Sequence, residues 1–273
     1  MLDQDLDAAD FEVIVVNDSG RPLPPAAWQQ SRRIRVIDTQ RRERSIARNV
    51  GAAVARGRYF HFLDDDDVIV PGALRALREQ AEASRADWLY GTWQTVDDDG
   101  RLVAEFRAHL KGNIFSMLVS GEGLPLQASL LSSSRFFGIG GFHAIPELLG
   151  VEDRDLGRRL ALTTDIRPVD ALIARVRIGE QSSTTDWARI AERDRQGRDL
   201  ALSAHGAFGR LRASAQSGHW RGRVSRAYLA STAWNMKRGH LATAISRAAL
   251  GIAAASWWPL TPGYWDGLTT RIS

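Results

Sequence analysis

At 273 residues and 30.2 kDa the chain is long enough for one large α/β domain with an appendage. A hydrophobic share of 44% against 25% charged residues supports a buried core and excludes disorder as the organising state. The formal charge is only +4, which argues against a dedicated nucleic-acid binder, and the lack of cysteine excludes disulfides, thiolate metal sites and cysteine nucleophiles.

The first residues, Met1 to Asp5, are acidic and lack the basic-then-apolar order of a secretory signal, so a cytoplasmic location is expected. Phe11 to Val16 is an almost continuous apolar run rich in β-branched residues, which predicts a strand buried in a parallel sheet; Asn17-Asp18-Ser19-Gly20 ends it as a turn. Ile34 to Ile37 predicts a second strand. Ser45 to Arg56 predicts a helix with Ile46, Val50 and Val54 on one face, and Tyr59 to Leu63 a third strand. Strand, helix and strand in that order predict a βαβ unit and a parallel sheet.

A helix is expected from Pro71 to about residue 84, with Leu74, Leu77 and Ala81 as its apolar stripe. Trp88 to Val96 and Leu102 to Phe106 predict a hairpin, whose Asp97-Asp98-Asp99-Gly100 is read as turn chemistry. A helix near Ile114 to Val119, a strand near Leu126 to Leu131 and a glycine-rich loop at Gly138 to Phe142 follow. Then come a helix over Glu152 to Leu162, an extended segment from Ile166 to Ile178 and a linker or cap at Ser182 to Asp186. From Trp187 onward the pattern is helical and arginine-rich, clearest at Tyr228 to Met236 and Leu241 to Ile252. No run approaches the ~20 apolar residues of a membrane span.

The run Asp64-Asp65-Asp66-Asp67 follows an apolar strand directly, and strand C-termini are where open α/β sheets bind ligands. On extended backbone Asp64 and Asp66 point to one side and Asp65 to the other. Carboxylates crowded in this way repel one another unless a cation neutralises them. A hard divalent ion, Mg²⁺ or Mn²⁺, takes oxygen ligands and bridges carboxylates to phosphates, so a diphosphate-bearing substrate is the economical inference.

Phe62-Leu63-Asp64-Asp65-Asp66-Asp67, followed by Pro71 and an amphipathic helix, resembles the DXD region of family 2 glycosyltransferases. Val15 to Gly20 is similar to that family's Val-Asp-Asp-Gly-Ser turn, and Ser45 to Gly51 to its Ala-Arg-Asn-x-Gly helix. Gly140-Gly141-Phe142 and Glu152 to Leu156 resemble its Gly-Gly-Phe and Glu-Asp-x-Asp-Leu segments. The resemblance implies an α/β GT-A fold, a mostly parallel sheet flanked by helices over residues 1–185, with a helical C-terminal extension over 186–273. It also implies a nucleotide-sugar donor and a glycan or lipid-linked acceptor, in cell-surface polysaccharide assembly.

Carried over residue by residue, Asn17, Asp18, Arg48, Asp64 and Asp65 would bind the nucleotide. Asp64 and Asp66 would hold the metal, and Asp153 would be the catalytic base of an inverting transfer. The plain reading of Glu152-Asp153 is an acidic helix start that complements the helix dipole. The Gln-x-x-Arg-Trp motif of processive synthases is missing, which favours single-sugar transfer.

The chain departs from the family at its start: only ten residues precede Phe11, Leu2-Asp3-Gln4 resembles the tail of the family's first helix, and the strand and most of the helix before it are expected to be missing. That strand would lie between Phe11–Val16 and Tyr59–Leu63, so both are expected to keep an unpaired inner edge, and Met1 is expected to be internal to a longer reading frame. Asn17 also replaces the family's usual aspartate. Two other readings stand beside the transferase. The acidic run is similar to the first motif of haloacid-dehalogenase-type phosphatases, for which only Lys111 and Lys237 could supply the lysine. A degenerate, non-catalytic binding or scaffold protein is the other. Trp220, Trp234, Trp257, Trp258 and Trp265 are expected to pack the tail onto the domain, with a peripheral membrane contact as the alternative.

Overall fold

The computed structural model describes residues 4–7, 9–40, 43–178, 187–214 and 217–269; the linker expected at Ser182 to Asp186 lies outside them. Val13–Asn17 (β1) and Ile34–Asp38 (β2) pair in parallel as a two-stranded sheet of their own. The helix Arg44–Val54 (α1) packs on β1 and begins at Glu43, whose carboxylate accepts the backbone N–H groups of Ser45 and Ile46. It buries Ser45, Ala47 and Ala52 and leaves Val54 exposed, so the expected stripe of Ile46, Val50 and Val54 is not the covered face. Small residues face inward because α1 lies close against β1 on one side and the Phe142 loop on the other.

The second sheet is built from Tyr59–Phe60 (β3), Val68–Ile69 (β4), Trp88–Val96 (β5), Leu102–Phe106 (β6), Ser129–Ser132 (β7) and Ile166–Arg177 (β8). Its order is β3-β7-β5-β8-β4, with β6 paired to the outer half of β5. Only β5 and β8 run parallel in it; the other pairs are antiparallel. The expected βαβ continuation through Tyr59 to Leu63 therefore does not form. Tyr59 and Phe60 pair instead with Ser132 and Leu131 of β7, and the chain leaves the sheet before Leu63. Among the described residues β1 and β3 each keep one edge without a strand partner, as the sequence led us to expect.

Alternation along β5 and β7 builds two cores. Trp88, Tyr90 and Leu131 join Phe60 and Ile166 on one side, while Leu89 and Leu130 join Ile69, Val169 and Ile173 on the other. The second side is covered by Ala73–Ser84 (α2) through Leu77 and Ala81. The first is covered by Phe115–Val119 (α3) and Glu152–Thr163 (α5), while the short helix Ser133–Gly138 (α4) leads into the glycine loop. The hairpin β5–β6 turns at Asp97 to Gly100 as expected, Gly100 donating to the Asp97 carbonyl.

The C-terminal residues form Trp187–Ser203 (α6), Ala207–Arg212 (α7), Ser217–Lys237 (α8), Leu241–Ala255 (α9) and Pro262–Thr269 (α10). Leu202, Leu211, Val224 and Tyr228 belong to the same apolar cluster as Phe115 and Leu156, so these helices share a core with the sheet. Arg158 of α5, fully buried, donates to Leu118 O and to Asp194 Oδ1 on α6 at 2.6 Å, and Arg198 donates to Asp194 Oδ2 at 3.1 Å. Burial alone would raise the Asp194 pKa; Arg158, Arg198 and Arg154 outweigh it and hold it below the ordinary carboxylate value. The helices α8 and α10 touch backbone to backbone, and a Cβ on Gly222 would stand 2.0 Å from Tyr264 O. Among the described residues no helix is long and apolar enough to cross a membrane.

Candidate active site

Asp64 to Asp67 fold into a tight turn, Asp67 N donating to Asp64 O, between the end of β3 and the start of β4. The turn replaces the extended backbone expected from sequence but still brings carboxylates together. Oxygens of Asp64, Asp66 and Asp67 all lie within 4.8 Å of one another, while exposed Asp65 stays outside that group. Partial burial, then the neighbouring Asp66 and Asp64 charges, push the Asp67 pKa up to about 6 against the hydrogen bond it accepts from Arg177 N. A cluster of three carboxylates under mutual repulsion is a donor set that suits a hard divalent cation. The sequence reading named Asp64 and Asp66 for this role; Asp67 is the addition.

Arg48 ties this turn to the start of α5. Its Nη2 donates to Asp64 Oδ1 at 2.5 Å and its Nη1 to Glu152 Oε1 at 3.1 Å. Burial works against the Arg48 charge, yet the Asp64 and Glu152 carboxylates outweigh it and raise its pKa above the ordinary arginine value. Arg44, one turn earlier on α1, reaches the same Glu152 oxygen at 3.3 Å. Gln127 donates to Asp64 Oδ2 at 2.9 Å, and Gly150 N to Glu152 Oε2 at 2.7 Å. Glu152 is 2% exposed, whereas its neighbour Asp153 is half-buried, and an Asp153 oxygen accepts Arg154 N.

Asp64, Gln127, Glu152 and Asp153, with Arg44 and Arg48, line one cleft of about 70 Å³. Small-molecule pockets enclose roughly 300–1,000 Å³; here the Arg48 guanidinium itself occupies the space beside Asp64. A wider groove of about 500 Å³ lies between Val68–Gly72 and Ala171–Arg175. It is lined by no carboxylate, hydroxyl or imidazole, so the smaller cleft is the candidate site. Neither Lys111 nor Lys237 lines the cleft, which leaves the phosphatase reading without its lysine.

Two other motif segments are joined by structure rather than by chemistry. Asn49 donates to Phe142 O and accepts Phe142 N, which fixes α1 to the Gly140-Gly141-Phe142 loop. Gly141 has φ +66°, and a Cβ there would stand 2.7 Å from Asn49 Oδ1. Asn17 and Asp18 sit at the C-terminal end of β1. Asn17 is 6% exposed, its amide donating to Arg21 O and Asp38 Oδ1 and its oxygen accepting from Ser19, so its polar atoms hold the turn. Asp18 accepts from Thr39 Oγ1. Among the described residues no hydrogen bond or ion pair links Asn17 or Asp18 to the acidic turn.

Sequence reasoning missed Glu152, Gln127 and Arg44. Arg44 stood one turn before Arg48 and so had a signal in helical spacing, whereas Glu152, beside the chosen Asp153, faces another side of α5. Gln127, from a short 3₁₀ turn at Leu126–Ala128, had none.

A mixed sheet between helices, with an acidic turn at a strand end facing a basic helix and an acidic helix start, is an arrangement of the α/β GT-A fold. Staphylococcus aureus TarS has this fold: TM-score 0.57 at 15% identity, over 92% of this chain and 50% of that one. A shorter TarS, residues 1–349 in complex with UDP-GlcNAc, also gives 0.57 at 14% identity, over 92% of this chain and 74% of that one. At that identity the likeness speaks for the GT-A fold alone. The family model for glycosyl transferase family 2 matches residues 1–140, half of the chain, and the chain belongs to that family.

Among similar proteins, the succinoglycan biosynthesis protein ExoO of Rhizobium meliloti is 38% identical over 98 residues, 35% of this chain and 28% of that protein. The uncharacterized glycosyltransferase EpsJ of Bacillus subtilis is 38% identical over 84 residues, 29% of this chain and 24% of its own length. The match thus spans about a quarter of each of these relatives.

Proposed function

We propose that this chain transfers a single sugar from a nucleotide-diphosphate sugar to a hydroxyl of a glycan or lipid-linked acceptor. The transfer inverts the anomeric centre, depends on a divalent cation and serves polysaccharide assembly in the cytoplasm. The observation that carries this reading is the meeting of Asp64, Arg48 and Asp153 in one cleft, with Asp66 and Asp67 beside Asp64. The name of the succinoglycan relative supports the setting.

Asp64, Asp66 and Asp67 would hold a divalent cation, Mg²⁺ or Mn²⁺, whose charge would offset that of the donor's diphosphate. Arg48, which pairs with Asp64 at the mouth of the cleft, is the cationic side chain placed to meet the phosphate oxygens. Glu152, held by Arg44 and the Gly150 N–H, keeps Arg48 within reach throughout. Asp153, more open than Glu152, takes the acceptor hydroxyl's proton as that oxygen bonds to the anomeric carbon. The bond from this carbon to the diphosphate oxygen breaks, and its electron pair leaves with the nucleoside diphosphate.

The test is release of nucleoside diphosphate from UDP-, GDP- and dTDP-sugars with Mn²⁺ and a glycan acceptor. Release that stops with chelator and with Asp153→Asn, giving a product of opposite anomeric configuration, is the expected result. A second reading, a non-catalytic binder, is favoured by one observation: the amide of Asn17 is fully engaged in its turn, beside a sheet separate from the one that carries the acidic turn. Nucleotide binding with no release from any of these sugars would establish that reading instead.

A further inference from the structure

We propose that the outward sides of α8, α9 and α10 form a docking surface for an anionic lipid bilayer. This inference does not rest on the transferase reading, because it uses none of the residues of the cleft.

Charge divides the chain. From Leu200 to the end the sequence has one acidic residue, Asp266, against nine basic ones, so the first 199 residues carry a net negative charge and the tail a strong positive one. Apolar exposure falls in the same tail. On α9, Ile245 is 71% and Ile252 72% exposed, and Leu241 is open at its start. The one charged residue of α9, Arg247, turns inward and is 4% exposed, so the outward side of a 15-residue helix bears no charge at all. The corner that follows leaves Trp257, Trp265 and Leu260 exposed, the last at 85%. Of the five tail tryptophans, Trp220 packs beside the core as expected from sequence, but Trp257 and Trp265 do not.

The basic groups stand where a headgroup layer would meet them. Lys237 and Arg238 are exposed in the turn between α8 and α9, flanked by exposed Met236 and Leu241, and Arg238 lies over the Trp234 ring at 4.1 Å. Apolar side chains, indoles and cations on one helical surface are the chemistry of interfacial binding to anionic lipid. A second copy docked tail to tail is a poorer occupant, since it would bring like charges together with only Asp266 to offset them. The packing that holds these helices runs through inward contacts such as Gly222 against Tyr264 O, so the outward side chains are free to serve a surface.

The experiment is flotation of the full chain with vesicles of phosphatidylcholine alone and of phosphatidylcholine with phosphatidylglycerol. The protein is expected to float with the anionic vesicles and to stay behind with the neutral ones. Ile245→Glu combined with Ile252→Glu, both at exposed positions and checked by circular dichroism, should abolish flotation. Lys237→Ala and Arg238→Ala should each weaken the partition about fivefold, and added salt should do the same. Absence of flotation, equal flotation with neutral vesicles, or a concentration-dependent dimer that the glutamates dissolve would each overturn the proposal.

Discussion

Arg158 and Arg48 each reach across the fold to carboxylates on a distant segment, and they differ in what lies behind the pair. Arg158 is wholly buried, its partner Asp194 is shared with Arg198, and the backbone carbonyls of Leu118 and Val119 take up the arginines' remaining donors. That cluster fastens α6 to α3 and α5, with the more exposed Arg154 reaching Asp194 Oδ1 at 3.5 Å from its rim. Arg48 pairs with one carboxylate that is itself buried, Glu152, and with Asp64, whose side chain is 36% exposed and belongs to the acidic turn. One end is fixed and the other faces a cleft. Identical groups thus form a buried pair between α5 and α6, and at α1 a pair in which one carboxylate stays partly open to the cleft.

The strongest way to break this comparison is to remove the group assigned to chemistry. Asp153→Asn should lower the transfer rate by about 10²–10⁴-fold while leaving UDP affinity unchanged, since a general base is lost but no phosphate contact. Steady-state rates beside a binding isotherm check it. In the Asp194 cluster the effect should be one of stability instead. Asp194→Ala leaves Arg158 and Arg198 buried without their carboxylate and should cost about 3–5 kcal/mol in a urea unfolding curve.

The same cluster sets a pH dependence with a definite sign. The Asp194 pKa is lowered in the folded chain, so its stabilisation is complete above the ordinary aspartate range and is lost as pH falls below about 4. The unfolding free energy should fall as pH is lowered through that range in wild type and change less in Asp194→Asn.

Gly222→Ala drives a methyl group into Tyr264 O and should cost about 1–3 kcal/mol, again with donor binding intact at temperatures where the chain is folded. The smallest effect belongs to the open cluster. Arg48→Ala frees Asp64 and should raise the affinity for Mn²⁺ alone by about 2–5-fold, the scale of a partly exposed ion pair, while weakening UDP. Calorimetry with the metal and then with the nucleotide separates the two.

Much of this arrangement could be read in the sequence because it sits in local patterns. An acidic run after Tyr59 to Leu63, an amphipathic helix after Pro71 and the Asp-Gly hairpin at Asp97 to Gly100 each depend on neighbours within a few residues. The choice between Glu152 and Asp153 did not. Helical spacing puts them on different sides, and only the position of α1 decides that Glu152 meets Arg44 and Arg48 while Asp153 stays open. The strand at Tyr59 to Leu63 was read too long and in the wrong pairing, because pairing is settled by β7, 70 residues later, and not by the strand's own apolar run. Asn17 shows the reverse difficulty. Its place in a motif suggested a ligand, and only its three contacts within the turn and a fourth to Asp38 on β2 reveal what the side chain already does.

The acidic turn and its partner Arg48 are proposed as a cation and diphosphate site. Calorimetric titration of UDP, with and without Mn²⁺, into the wild-type chain and into Asp66→Ala tests it most directly. The account predicts binding that requires Mn²⁺ and disappears in Asp66→Ala. Equal UDP binding without the metal, or undiminished binding in Asp66→Ala, would contradict it.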